Sequence, residues 1–248
     1  MRSFILLLVL VILKPLNVAA AECTGNPEAL GTSRILVVDP RIHPRIGRKQ
    51  FPQTLPLAVK EVVLTFDDGP EPSTTPRVLE ALRRHCVKAT FFLIGRNVVA
   101  HPEIARQIAA AGHSIGHHTY SHPLLSRMSP ARAELDISRG LSTIEAALGH
   151  PGNVNPFFRF PGFASSPALL KLMESRGSAV FGADVWASDW NPMTPQQELH
   201  LLMTRIEASH GGIVLLHDTK KQTAAMLPSL LNALRQGGYR VVHIVAPK

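Results

Sequence analysis

Seven short apolar runs separated by helix-patterned segments constrain this chain more than any other feature. The runs are Val62–Phe66, Ala89–Ile94, Ser114–His117, Pro156–Phe160, Ala179–Val185, Ile213–Leu216 and Arg240–Val245. Each is too short for a buried helix and reads as a strand covered on both faces. Between them, "TTPRVLEALRRH" carries apolar residues at 78, 79 and 82, and "HPEIARQIAAAG", "SPALLKLMESRG" and "LPSLLNALRQGG" end in glycine stops. Ser129-Pro130 and Thr194-Pro195 each offer an N-cap followed by proline at the first helical position. Seven strands alternating with about six helices predict an α/β fold, a distorted parallel (β/α) barrel of about seven strands. A doubly wound open sheet is the alternative. Both place chemistry beyond the C-terminal ends of the strands.

The 248 residues suffice for one large domain, and 45% apolar with 18% charged residues describes an ordinary globular chain. Residues 1–21 read as a secretory signal: Arg2, the apolar run "FILLLVLVIL", then "AAA" at 19–21. The run ends at Lys14-Pro15, short for a membrane anchor. Residues 22–60, with proline at 27, 40, 44, 52 and 56, read as an extended leader packed on a catalytic domain of residues 61–248. Export to the periplasm or the cell exterior follows. Loss of Arg2 and Lys14 lowers the net charge from +8 to +6, still suited to anionic envelope polymers or simply to solubility. No basic run interleaved with aromatics points to nucleic acid, and no stable membrane span is expected after cleavage. The two cysteines, Cys23 and Cys86, are expected to pair in an oxidising compartment, tying the leader to the bottom of the barrel. The plainer reading is a buried Cys86 and a free Cys23.

The polar residues then fall on one rim. Asp67 and Asp68 end the first run, His118 and His122 follow the third, and Arg159 closes the fourth. Asp189 follows the fifth, and His217 with Asp218 ends the sixth. Adjacent buried carboxylates repel each other and invite a cation. His118 and His122, at i and i+4, would point the same way on one helical turn. Two imidazoles and one carboxylate make a three-ligand divalent site with open positions, and the second carboxylate is free to take a proton from water. Plainer readings exist for each group: a histidine-rich loop, a salt-bridging Arg159, a core or sugar-stacking Trp190, and Asp218 as a helix cap. His43, His85, His101, His150 and His210 belong to no constellation.

"TFDDGP" at 65–70, "HTYSH" at 118–122, "RFPG" at 159–162, "SDW" at 188–190 and "LLHD" at 215–218 occur in this order. Together they resemble the polysaccharide deacetylases of carbohydrate esterase family 4, which carry a NodB homology domain, over roughly residues 60–245. The resemblance implies Asp67 as general base, with Asp68, His118 and His122 as ligands of one divalent ion, usually zinc. It implies His217 as general acid, Arg159 as the partner of Asp67, and Asp189 as the partner of His217. Trp190 and Leu215 would line the acetyl pocket, and the Gly162 N–H would help to stabilise the oxyanion. Three positions depart from the family pattern. Arg-Phe-Pro-Gly-Phe stands for R-P-P-Y-G, so an aromatic wall is lost or moved to Phe163. Trp186 stands where an Asp is usual, and His117 where Asn is common; His117 is expected either behind the ligands or in competition with them.

The function expected is that of a secreted metal-dependent enzyme hydrolysing N-acetyl groups of amino-sugar polymers or oligomers, peptidoglycan or chitin-like. An O-acetyl esterase acting on xylan-like polysaccharide is the alternative. A non-catalytic carbohydrate-binding protein is a third, against which the retention of Asp67 and His217 argues.

Overall fold

A computed structural model describes residue 23 and residues 26–247; the expected signal segment lies outside the described residues. Seventeen principal elements follow in order: β1 (Thr32–Val37), β2 (Arg45–Ile46), β3 (Glu61–Asp67), α1 (Thr75–Arg84), β4 (Thr90–Leu93), α2 (Gly95–Ala100), α3 (Pro102–Ala110), β5 (Ser114–His117), α4 (Pro130–Leu148), β6 (Phe157–Phe158), α5 (Pro167–Ser175), β7 (Ala179–Phe181), β8 (Val185–Trp186), α6 (Pro195–Ser209), β9 (Gly211–His217), α7 (Lys221–Gln236) and β10 (Arg240–Val245). All strand pairings are parallel. The consecutive pairings β8-β9-β3-β4-β5-β6-β7 wrap the sheet around a core. No ladder joins β7 to β8 among the described residues, so the sheet curves like a barrel without closing.

Strand alternation divides the core into layers. On β3, Val62, Leu64 and Phe66 face the helices, packing with Phe91 and Leu93 of β4 and Val214 and Leu216 of β9. Val63 faces inward with Phe92, Phe157, Phe181 and Ile213. The period of two therefore turns Thr65 and Asp67 inward behind Val63, and Leu215 and His217 inward behind Ile213. Asp67 and His217 are register partners across the β3–β9 pair. Two catalytic candidates 150 positions apart are thus placed side by side by pairing alone.

The structure departs from the sequence reading in three elements. The run Ala179–Val185 is two strands: β7 pairs with β6 and β2, whereas β8 pairs with β9. Gly182 and Ala183 separate them, and Asp184 stabilises the break by accepting from the N–H groups of Arg48 and Ile213 and the Thr54 hydroxyl. The leader is not merely wrapped; β1 runs beside β10 and β2 beside β7. Ser129 caps α4 without a side-chain hydrogen bond, whereas Thr194 forms a full capping box with Gln197 on α6. Cys23 and Cys86 form a disulfide with Cα atoms 5.6 Å apart. No described helix is long and apolar enough to cross a membrane.

Candidate active site

The acid pair Asp67-Asp68 ends β3 and divides in direction. Asp67 is 2% exposed and points inward. The fully buried Arg159 guanidinium donates to its Oδ1 at 2.6 Å and to the Thr65 hydroxyl at 3.0 Å. Arg159 itself is held by the Phe181 and Gly182 carbonyls and lies 4.3 Å over the Phe92 ring. A buried guanidinium with every face engaged is a fixed countercharge, so Asp67 sits in one place as a compensated anion. The break after β7 is what presents those two carbonyls.

Asp68 turns away at φ +76, in the left-handed region, and the side-chain amide of Asn97 secures its carbonyl at 2.7 Å. Its Oδ1 is buried with no hydrogen-bond partner. That oxygen lies 3.6 Å from His118 Nε2 and 3.2 Å from His122 Nε2, and the donor atoms of the three residues all fall within 4.8 Å of one another. His118 Nδ1 lies 2.7 Å from the Arg159 carbonyl, which only accepts. The proton is therefore on Nδ1, and a lone pair on Nε2 faces Asp68. Burial opposes ionisation of Asp68, but the His122 contact and the neighbouring imidazoles, the charged His217 among them, outweigh it and hold the carboxyl well below its usual range. Burial also pushes the His118 pKa down, against the pull of Asp67 and Asp68, favouring the neutral ligand form. An orphaned anionic oxygen facing two imidazoles fits a divalent ion.

The two histidines do not share a helical turn. Residues 118–122 form a loop in which Thr119 (φ +68) and His122 (φ +60) are left-handed. Thr119 Oγ1 accepts from the His122 N–H, and Asp136 of α4 accepts from the N–H groups of Tyr120 and Ser121 and from the Ser121 hydroxyl. A left-handed β-branched residue is rare and needs such bracing. His117 is neither ligand nor support for one. It faces the opposite side of β5, packed on Phe158 at 4.7 Å, and burial lowers its pKa to about 3.

On the other side of Asp68 stands His217. Its Nε2 is 3.9 Å from Asp68 Oδ2, and its Nδ1 is 2.7 Å from Asp189 Oδ1. The backbone N–H of His217 also donates to Asp189 Oδ2 at 2.7 Å. Burial disfavours the imidazolium, but the hydrogen bond and charge of Asp189, with Asp67 and Asp68, raise the His217 pKa to about 9. Trp190 is 49% exposed, with its ring 6.0 Å from that of His217, while Leu215 is buried beside Trp186 in the β8–β9 register. Trp186, Trp190 and Phe163 form a chain of rings, with Lys49 Nζ 5.0 Å over Trp186. Gly162 occupies a turn after Arg159 at φ +56, where a side chain would meet Leu124.

Several residues near the site escaped the sequence reading. Thr65, Asn97 and Asp136 act as braces. Asp218 is not a helix cap; it is fully buried, 2.5 Å from the Thr75 hydroxyl under the Gly69 turn. Burial raises its pKa to about 7. Only the "LLHD" position signalled it, since an Asp inside an apolar setting needs a reason.

With this geometry in place, comparison with known proteins gives a consistent result. The polysaccharide deacetylase family model matches residues 55–181. A peptidoglycan-N-acetylglucosamine deacetylase of Bacillus cereus is 36% identical over 194 residues, 75% of this chain and 86% of that protein. A chitooligosaccharide deacetylase of Azorhizobium caulinodans is 34% identical, covering 72% of this chain and 90% of that protein. Among solved structures, a Bdellovibrio bacteriovorus peptidoglycan deacetylase superposes with a TM-score of 0.80 at 30% identity, covering 90% of this chain and 61% of that one. The chain belongs to the polysaccharide deacetylases, carbohydrate esterase family 4.

Proposed function

We propose that this protein is an exported hydrolase that removes N-acetyl groups from amino-sugar glycans, with peptidoglycan strands as the substrate class. The single observation that carries the reading is the pairing of Asp67 with His217 on adjacent strands, flanking the Asp68–His118–His122 cluster. Amide hydrolysis needs a base, an electrophilic centre and an acid, and this arrangement supplies them in that order across one site.

The donor set suits zinc, held by Asp68 Oδ1, His118 Nε2 and His122. When bound, the ion supplies Lewis acidity toward the acetyl carbonyl and lowers the pKa of water. The protein's own residues do the rest. Asp67, immobilised by Arg159, takes a proton from the attacking water. The Gly162 N–H, in the turn following Arg159, offers a hydrogen bond to the developing oxyanion. His217 carries a proton at neutral pH and delivers it from Nε2 to the amine, a poor leaving group until protonated. Leu215 and Trp190 form apolar walls beside His217, suited to an acetyl methyl.

Peptidoglycan is favoured within the class by the chain of rings from Phe163 to Trp190, with Lys49 over Trp186 at its middle. Aromatic faces stack on sugar rings, and a cation above one of them suits a glycan bearing carboxylates. Relatives whose names specify peptidoglycan and chitooligosaccharide substrates bracket the choice. The disulfide and the expected signal segment support export.

The test is acetate release from N-acetylglucosamine oligomers, peptidoglycan and O-acetylated xylan, with and without a chelator. The reading expects release from N-acetylated substrates, loss on chelation and recovery with zinc. Release from acetyl xylan alone would establish the esterase instead, and glycan binding without release would leave a binding protein.

A further inference from the structure

Behind the Asp189–His217 pair lies a second carboxyl group with no part in the scheme above. Glu198 of α6 is 0% exposed. Its Oε1 is 2.8 Å from Thr223 Oγ1 of α7, which in turn is 2.9 Å from Asp189 Oδ2. Its Oε2 is buried with no hydrogen-bond partner.

Counting protons decides the order of this row. Thr223 has one hydroxyl proton and two carboxyl neighbours. Asp189 is surrounded by donors: the His217 Nδ1–H on one oxygen, the His217 backbone N–H on the other. Asp189 is therefore the anion. Were Glu198 also ionised, the single Thr223 proton could serve only one of them. Given to Asp189, it would leave Glu198 an anion with no donor at either oxygen; given to Glu198, it would turn a hydroxyl lone pair against the Asp189 anion, and a buried setting disfavours both. A protonated Glu198 removes the conflict. It donates to Thr223 Oγ1, and the Thr223 proton turns to Asp189.

We propose that Glu198 is a neutral carboxylic acid at working pH and that, through Thr223, it positions the Asp189–His217 pair. The row runs Glu198 O–H to Thr223, Thr223 O–H to Asp189, and His217 Nδ1–H to Asp189. Three donors then fix the Asp189 carboxylate plane, and with it the direction of His217 Nε2 toward Asp68. The positioning role rests on His217 acting as the acid; the protonation of Glu198 does not. Burial raises the Glu198 pKa to about 7, opposed by the Thr223 hydrogen bond, reinforced by the Asp189 charge and lowered by His217. Asp189 and His217 are the charged groups facing it. Arg205, on the same helix, is instead turned to the Trp186 carbonyl and the Ser188 hydroxyl.

Two measurements on the full mature protein test this. The first is stability against pH for wild type and Glu198→Gln. A raised carboxyl pKa stabilises the fold fully below its ordinary value of about 4.5 and loses that contribution as pH rises through about 7. Wild type should therefore lose Tm relative to Glu198→Gln across that window and then run parallel to it. A difference independent of pH would overturn the neutral acid. The second is kinetic. Glu198→Gln keeps a donor toward Thr223 and should rescue most of kcat. Glu198→Met and Thr223→Val break the row and should lower kcat by about 10-fold or more with little change in KM, as such supporting contacts commonly do. A Gln variant as impaired as Met would overturn the donor role. Absence of acetate release by wild type would sink the deacetylase reading, while the stability difference would still decide the state of Glu198.

Discussion

Asp67 and Asp68 are neighbours in sequence with opposite environments, and the separation can be measured. Asp67→Asn should keep the metal, because its Oδ1 is committed to Arg159 and not to the ligand cluster. It should lose acetate release by about 10²–10⁴-fold, the usual contribution of a positioned base. His118→Ala should instead lose metal content and activity together. Elemental analysis beside turnover separates the outcomes, and an Asp67→Asn protein without metal would reverse the assignment of the two acids. The identity of these side chains was legible from their order along the chain. Their protonation was not: the proton on His118 Nδ1 depends on the Arg159 carbonyl, which only folding places there.

The elements that hold the site are strands on one side and a braced loop on the other. Parallel register puts Asp67 beside His217, whereas His118 and His122 converge through a loop pressed against α4. Gly140 of α4 permits that approach, since a Cβ there would lie 2.5 Å from the Thr119 carbonyl carbon and 2.8 Å from the Tyr120 nitrogen. Both are backbone atoms with little room to move. Gly140→Ala should therefore displace the loop, weaken metal binding and destabilise the protein by about 1–3 kcal/mol, although alanine ordinarily favours a helix. Chelator titration beside thermal melting would check it; a more stable variant with unchanged affinity would show that the loop gives way freely. The i, i+4 spacing suggested a helical turn because the imidazoles do converge, but left-handed Thr119 and His122 reach the same end by another path.

At the scale of the whole molecule, two features govern stability. The Cys23–Cys86 disulfide closes a loop with a sequence separation of 63, worth about 4 kcal/mol in the chain-entropy account. Denatured, unreduced mature protein should show no free thiol, and reduction should lower Tm without removing the metal. The second feature is buried histidine far from the rim. Burial lowers His113 to about 3 and His243 to about 4, in both cases with a smaller contribution from Lys88. Their neutral forms serve the fold: His113 Nδ1 accepts from the Ala89 N–H, and His243 Nε2 contacts the Ser114 hydroxyl. Depressed histidine pKa values mean that the unfolded chain binds more protons. Stability should thus hold above about pH 6.5 and fall as pH drops toward 3–4, by on the order of a few kcal/mol for each histidine. Melting curves of His243→Gln against wild type should show a shallower acid decline; identical slopes would place the acid sensitivity elsewhere.

The amino-acid sequence by itself determined the alternation of strands and helices, the rim on which the polar residues gather, and the family. Those follow from local periodicity, turn chemistry and residue type, each carried by a few adjacent positions. The tertiary structure alone decided the split of Ala179–Val185, the entry of leader strands into the sheet, the outward turn of His117 and the row from Glu198 to His217. Each of these depends on a partner distant in sequence. Ala179–Val185 reads as one strand until Asp184 is found holding Arg48, Thr54 and Ile213. Nothing in the sequence marks Glu198; its role arises only when α7 brings Thr223 against it. A buried polar group is explained by what satisfies it, and what satisfies it is known only once the chain has folded.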